Sequence, residues 1–123
     1  MFLINNRRII FFVLGCTSIL ISCTTAVSHR GCYIADPYIN GIYRGECQGG
    51  KAHGFGKAVG KDTYEGEFFQ GVIHGRGIYV WSNGDRYIGQ FAEGQPHGNG
   101  VMKYINGNEQ SGVWQHGKLI QSK

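Results

Sequence analysis

Five histidines, four cysteines, eight acids and a few serines are the residues of this 123-residue chain that could do chemistry. Three histidines, His53, His74 and His97, each open a His-Gly-x-Gly motif, so one row of imidazoles in register is expected. A repeat of paired strands advances roughly 10 Å per unit, whereas a zinc–imidazole bond is about 2 Å. Three such rings cannot converge on one ion, and no cysteine or acid joins them at ligand spacing. They are read as structural residues beside a tight Gly-x-Gly turn, and no metal is expected. His29 and His116 fall outside the register. Beyond residue 22 the serines are Ser28, Ser82, Ser111 and Ser122, in cap, turn or tail positions where no triad can form. Glu65 and Glu67 lie on a repeat face, where solvation or salt bridging accounts for them. His-Gly-x-Gly also lacks the strand-to-helix setting and the length of a phosphate-binding loop. The chain is therefore read as a non-enzyme with no cofactor.

The elements that position these residues are repeated. Tyr43-Arg44-Gly45-Glu46-Cys47, Tyr64-Glu65-Gly66-Glu67-Phe68 and Tyr87-Ile88-Gly89-Gln90-Phe91 align on Tyr-x-Gly, followed by the degenerate Gln110-Ser111-Gly112-Val113-Trp114. The intervals are 21, 23 and 23 residues, and a search for such periods precedes any reading of single elements. Within a unit, Tyr64, Gly66 and Phe68 alternate with Glu65 and Glu67, the period of a strand. A second run places Gly75, Gly77, Tyr79 and Trp81 on one face, with His74, Arg76, Ile78 and Val80 on the other. Ser82-Asn83-Gly84-Asp85 and Ile105-Asn106-Gly107-Asn108 then reverse the chain, Asn-Gly being the strongest short hairpin signal. The predicted fold is all-β: an elongated single-layer antiparallel sheet of consecutive hairpins, about 35–40 Å long at strand spacing.

Composition agrees with that architecture. Glycine contributes 21 residues and proline 2, and the glycine share is more than twice the roughly 7% of an average protein. Without a three-residue period this is not collagen, and 41% hydrophobic with 13% aromatic residues is not a disordered linker. So short a chain forms one small domain, with no room for a kinase or a large hydrolase. The glycines serve two purposes. Some occupy turns that need positive φ. Others leave a gap in which an aromatic ring from an adjacent strand lies flat, offsetting the usual weakness of glycine in a strand.

These motifs resemble the MORN repeat, whose pattern runs approximately Y-x-G-x-W/F-x-x-G-x-x-H-G-x-G-x-Y. Residues 64–86 match best, 87–109 nearly as well, 43–63 with a two-residue deletion, and 110–120 as a truncated closing unit. Gly45, Gly54 and Gly56, Gly66, Gly75 and Gly77, and Gly89, Gly98 and Gly100 take the structural glycine positions, with His53, His74 and His97 beside them. Cys47 stands where the first unit has an aromatic residue in the pattern, and Gln110 replaces the last opening tyrosine. The resemblance implies a scaffold that holds a protein segment or pairs with a second copy. It implies no catalysis, because the domains that follow such arrays in some kinases and methyltransferases have no counterpart here. The expected interaction face carries Tyr64, Tyr79, Trp81, Tyr87 and Tyr104. The alternative is a lipid headgroup or glycan on that aromatic surface, with Arg76, Arg86 and Lys103 assisting.

The N-terminus is read as an address. Arg7 and Arg8 precede Ile9 to Ile21, an uncharged 13-residue stretch of signal-peptide length, too short to cross a bilayer. Leu20-Ile21-Ser22-Cys23 resembles a bacterial lipobox, which implies lipidation of Cys23 after removal of residues 1–22. Val13-Leu14-Gly15-Cys16 has the same letters but leaves a hydrophobic region of only six residues. Thr24 rather than Asp follows Cys23, so the implied destination is the outer membrane, facing the periplasm or the cell surface. Residues 23–42 then form the lipidated N-terminus, linker and cap, with Tyr38 and Ile39 as a partial strand, and 121–123 form a tail. Cys32 and Cys47 remain as a candidate disulfide in an oxidising compartment; two buried free thiols or a bond between chains are the alternatives. The formal charge of +4 falls to about +2 without Arg7 and Arg8. With basic residues scattered along the chain, no nucleic-acid partner is expected.

Overall fold

The computed structural model describes residues 31–123. Residues 1–30, including Arg7, Arg8, Cys16, Cys23 and His29, lie outside the described residues. Eight strands follow in chain order: β1 (Ile42–Gln48), β2 (Lys51–Val59), β3 (Thr63–Phe69), β4 (Val72–Val80), β5 (Arg86–Ala92), β6 (Gln95–Lys103), β7 (Glu109–Gln115) and β8 (Lys118–Ser122). They form one sheet in sequence order, each antiparallel to the next. The all-β hairpin array expected from the repeat is the observed fold.

The periodicity has a physical origin in a belt of glycines. Gly45, Gly56, Gly66, Gly77, Gly89, Gly100 and Gly112 pair in register from β1 to β7, and Ser122 ends the line on β8. On this belt lie the rings of Tyr43, Tyr64 and Tyr87. A Cβ built on Gly56, Gly77 or Gly100 would fall 2.5–2.6 Å from the Cε2 atom of the tyrosine above it. Each hydroxyl then donates to the carbonyl three residues on: Tyr43 to Glu46 at 2.7 Å, Tyr64 to Glu67 at 2.9 Å and Tyr87 to Gln90 at 3.1 Å. Phe68 and Phe91 stand between the tyrosines and Trp114 beyond Tyr87, all edge-on, with centroids 5.0–5.4 Å apart. Such T-shaped pairs contribute about 0.5–1.5 kcal/mol each beyond burial. The result is an aromatic zipper running the length of one sheet face.

Two kinds of turn alternate. Gly49-Gly50, Gln70-Gly71, Glu93-Gly94 and His116-Gly117 all have positive φ at both residues, the two-residue type I′ hairpin whose twist matches the strands. The Asn-Gly pairs mark the other ends, but only Gly84 and Gly107 have positive φ. These turns are longer, Trp81–Asp85 and Tyr104–Asn108, with Asn83 and Asn106 side chains accepting from Asp85 and Asn108 amides. The two-residue deletion of the first unit falls here, leaving only Gly60, Lys61 and Asp62 between β2 and β3.

His-Gly-x-Gly is a bulge rather than the tight turn expected. Three residues, His74-Gly75-Arg76, face the single Glu67 between the Gly66–Gly77 and Phe68–Ile73 pairs. The same three-against-one mismatch recurs at Glu46 and Gln90. Gly54, Gly75 and Gly98 absorb it at φ 76°, 63° and 93°. Glu67 fills the gap by accepting from the Arg76 amide at 2.9 Å, and Gln90 does so from Asn99 at 2.8 Å. Glu67 thus has a backbone partner that the sequence did not suggest, whereas Glu65 pairs with Lys57 at 3.3 Å.

The N-terminal segment crosses the ring face of the first two units. Tyr33 forms a parallel bridge with Lys51, Ala35 donates to the Gly71 carbonyl, and Asp62 donates to the Tyr38 carbonyl. Ile34 and Ile39 are buried against the zipper. Tyr38 and Ile39 sit in a turn rather than a partial strand, because the Asp36 carboxylate accepts the Tyr38 amide beside Pro37.

Candidate interaction site

The expected aromatic interaction face is the molecular interior. Tyr64 and Tyr87 are 0% exposed and Tyr79 is 6% exposed, so none offers a broad sheet surface to a partner. A single sheet buries them because the rings lie flat on glycine and edge-on to one another, with the cap laid over the first units. Trp81 and Tyr104 are half-buried, and Tyr104 donates to Gln110 at 2.8 Å. Burial pushes the Tyr87 hydroxyl up to about 12. Tyr64 is raised further by burial and then by the Glu67 charge, and Tyr43 by burial and Glu46. Tyr79 is raised chiefly by burial, then by its hydrogen bond to Asp62 and the nearby Asp36 charge.

The available surface is the opposite face. Phe55, Ile78 and Ile88 are 58%, 41% and 37% exposed there and line an open groove of 510 Å³ with Glu65, Arg76, Gln90 and Asn99. Alternation demands this arrangement: Ile78 lies one residue before buried Tyr79, and Ile88 one residue after buried Tyr87. The bulge at Glu46 carries Phe55 out of the core pattern. Sequence reasoning placed Ile78 opposite Tyr79 but overlooked the consequence, that strands apolar on both faces must expose one of them. Arg76 enters the groove; Arg86 and Lys103 do not join it. Arg86 pairs with Lys103 and, on its other side, with Val80, four positions along β4 from Arg76, and Lys103 is held by Glu109 at 3.1 Å.

The remaining candidates have assigned neighbours. The His53 Nδ1 accepts from the Gln70 amide at 3.3 Å, and His53 and His74 flank the Phe69 ring at 5.4 and 5.9 Å. His97 instead meets His116, at 5.5 Å. The three imidazoles of the motif are thus spread along the bulges and not gathered. Cys32 and Cys47 lie at disulfide distance, with Cα atoms 6.2 Å apart. Cys47 occupies the slot of Phe68 and Phe91, so the sulfur pair ends the zipper where an aromatic ring would need a further unit beyond it.

Comparison with known families completes this picture. A family model of the MORN repeat matches residues 43–62, 64–86 and 87–109. Those segments correspond to the three complete hairpin units that carry the Tyr–Gly stacking, the bulge and the type I′ turn. On that match and that architecture, the chain belongs to the MORN repeat family.

Proposed function

We propose that this protein is a non-catalytic scaffold of the bacterial envelope, anchored by lipid at Cys23 and holding an extended protein segment against its outward sheet face. The observation that carries the reading is the exposed Phe55, Ile78 and Ile88 groove on a sheet whose other face is filled by its own rings. Repeat arrays present such extended surfaces, contacting partners along several units at once. The aromatic, glycan-binding or headgroup-binding alternative loses its main support, since Tyr64, Tyr79 and Tyr87 are buried. Arg76 alone is a narrow basis for an acidic headgroup.

Cross-linking and capture from envelope fractions test the scaffold reading, using wild type and an Ile78→Ser/Ile88→Ser variant. A protein recovered with wild type and lost with the variant is expected; recovery indifferent to the groove residues overturns the assignment. Metabolic labelling with a palmitate analogue tests the anchor. Labelling is expected to vanish in Cys23→Ala, and persistence would move the site to Cys16 or remove it.

A further inference from the structure

A second concavity, separate from the groove, lies where the cap meets the second unit. Tyr38, Lys61, Asp62, Tyr79, Trp81, Ser82 and Asn83 enclose 330 Å³, within the size range of small-ligand sites. Its walls are aromatic: the Tyr79 and Trp81 rings are 4.8 Å apart and inclined by 46°, and Tyr38 stands 54% exposed at the mouth. Its floor is acidic. Asp62 is 6% exposed and accepts from the Ser82 amide at 2.8 Å and the Tyr79 hydroxyl at 2.9 Å. The Asp36 carboxylate approaches the same hydroxyl at 3.3 Å. Both Asp62 oxygens thus have a donor, and Asp36 also accepts the Tyr38 amide, but among the described residues neither acid forms a salt bridge. A buried carboxylate is ordinarily matched by a cation.

The turn alone does not require this assembly. In the next unit Asp85 makes the equivalent contact, accepting from the Ile105 amide at 2.9 Å, with Met102 in the position of Tyr79. The Tyr79 hydroxyl is an addition to a turn that closes without it, whereas the place of Trp81 is taken by another aromatic residue, Tyr104. One cation already visits the mouth: the Lys61 ammonium is 5.8 Å from the Tyr38 centroid, inside cation–π range.

We propose that this pocket binds an organic ammonium group, seated among Tyr38, Tyr79 and Trp81 and neutralised by Asp62. Lys61 is then a tethered competitor. The Lys61 ammonium over the Tyr38 ring shows that the mouth accepts a primary ammonium, so the ligand is assigned as a lysine side chain of a protein partner.

The full-length chain is titrated at low salt with choline, n-butylammonium and the uncharged isostere 3,3-dimethylbutan-1-ol, following the Ser82 and Asn83 amide resonances. Saturable shifts with n-butylammonium, tighter than with choline, are expected; a preference for choline overturns the assignment to a lysine side chain. Tyr38→Ala, an exposed position that spares the core, weakens binding about two- to fivefold. Lys61→Ala tightens it. The absence of saturation with both cations overturns the proposal. So does equal affinity for the neutral alcohol, or a Tyr38→Ala titration identical to wild type.

Discussion

Replacing Gly77 with valine tests whether the glycine belt exists to seat the tyrosine rings. Even the first added carbon would lie 2.6 Å from Cε2 and Cζ of Tyr64, against roughly 3.5–4.0 Å for an ordinary contact. The ring has no lateral room, being held edge-on between Phe68 and Phe91 at 5.0 and 5.3 Å. It must leave the belt. Exposing a buried aromatic side chain costs about 1.5–3 kcal/mol, and each lost T-shaped pair about 0.5–1.5 kcal/mol more. Valine's preference for extended backbone recovers up to about 1 kcal/mol. The net loss is about 1.5–6 kcal/mol, a large part of the total stability of a small domain. Gly107→Ala is the matched control, since a Cβ there meets nothing within 4 Å and only its φ of 92° opposes the change, at about 1 kcal/mol. Urea denaturation followed by tryptophan emission reads both variants, and alkaline difference absorbance reports whether Tyr64 has been freed. Midpoints for Gly77→Val and Gly107→Ala within about 0.5 kcal/mol of each other, with Tyr64 still resisting ionisation, would refute the packing argument.

Three further outcomes are expected. Cys32→Ser, or reduction of wild type, lowers stability by about 3 kcal/mol through the loop of sequence separation 15; both thiols alkylating readily without reductant would contradict this. Glu67→Gln is nearly neutral because Gln90 performs the same bulge contact, whereas Glu67→Ala costs about 0.5–1.5 kcal/mol; equal losses in denaturant midpoint would remove the bulge-filling role. Tyr43, Tyr64, Tyr79 and Tyr87 are all raised above 10, so each contributes stability that is complete below pH 10 and lost as pH climbs through the folded-state values. An alkaline titration at 295 nm is expected to show Tyr87 ionising near pH 12 with loss of the sheet signal; a native sheet with all tyrosines ionised at pH 11 would exclude it.

The sheet and its repeat length were legible because Tyr-x-Gly and His-Gly-x-Gly encode a contact between neighbouring strands, and such a contact must recur at the strand period. Which face would be buried was less legible. A single layer offers no second layer to cover Tyr64 and Tyr87, so they looked like surface; their cover is each other, the glycine backbone and Ile34 and Ile39 of the cap. His74-Gly75-Arg76 was misread as a turn because a glycine at positive φ serves turns and bulges alike, and only pairing against Glu67 distinguishes them. Asp62 was invisible for a different reason: its partners Ser82, Tyr79 and Tyr38 come from other elements, up to 24 positions away.

The bonds between equivalent turns have a consequence for the size of the molecule. Asp62 reaches Ser82 and Asp85 reaches Ile105, while Gly71, Gly94 and Gly117 donate to the carbonyls of residues 52, 73 and 96. Every one of these links spans a single step of the series, so a duplicated copy of residues 64–86 would meet compatible donors and acceptors on both flanks. Each such insertion would lengthen the face by roughly 10 Å without disturbing the cap or the closing hairpin. The protein is in this sense a ruler, and the separation between what is held at its two ends can be set by copying one short stretch of gene.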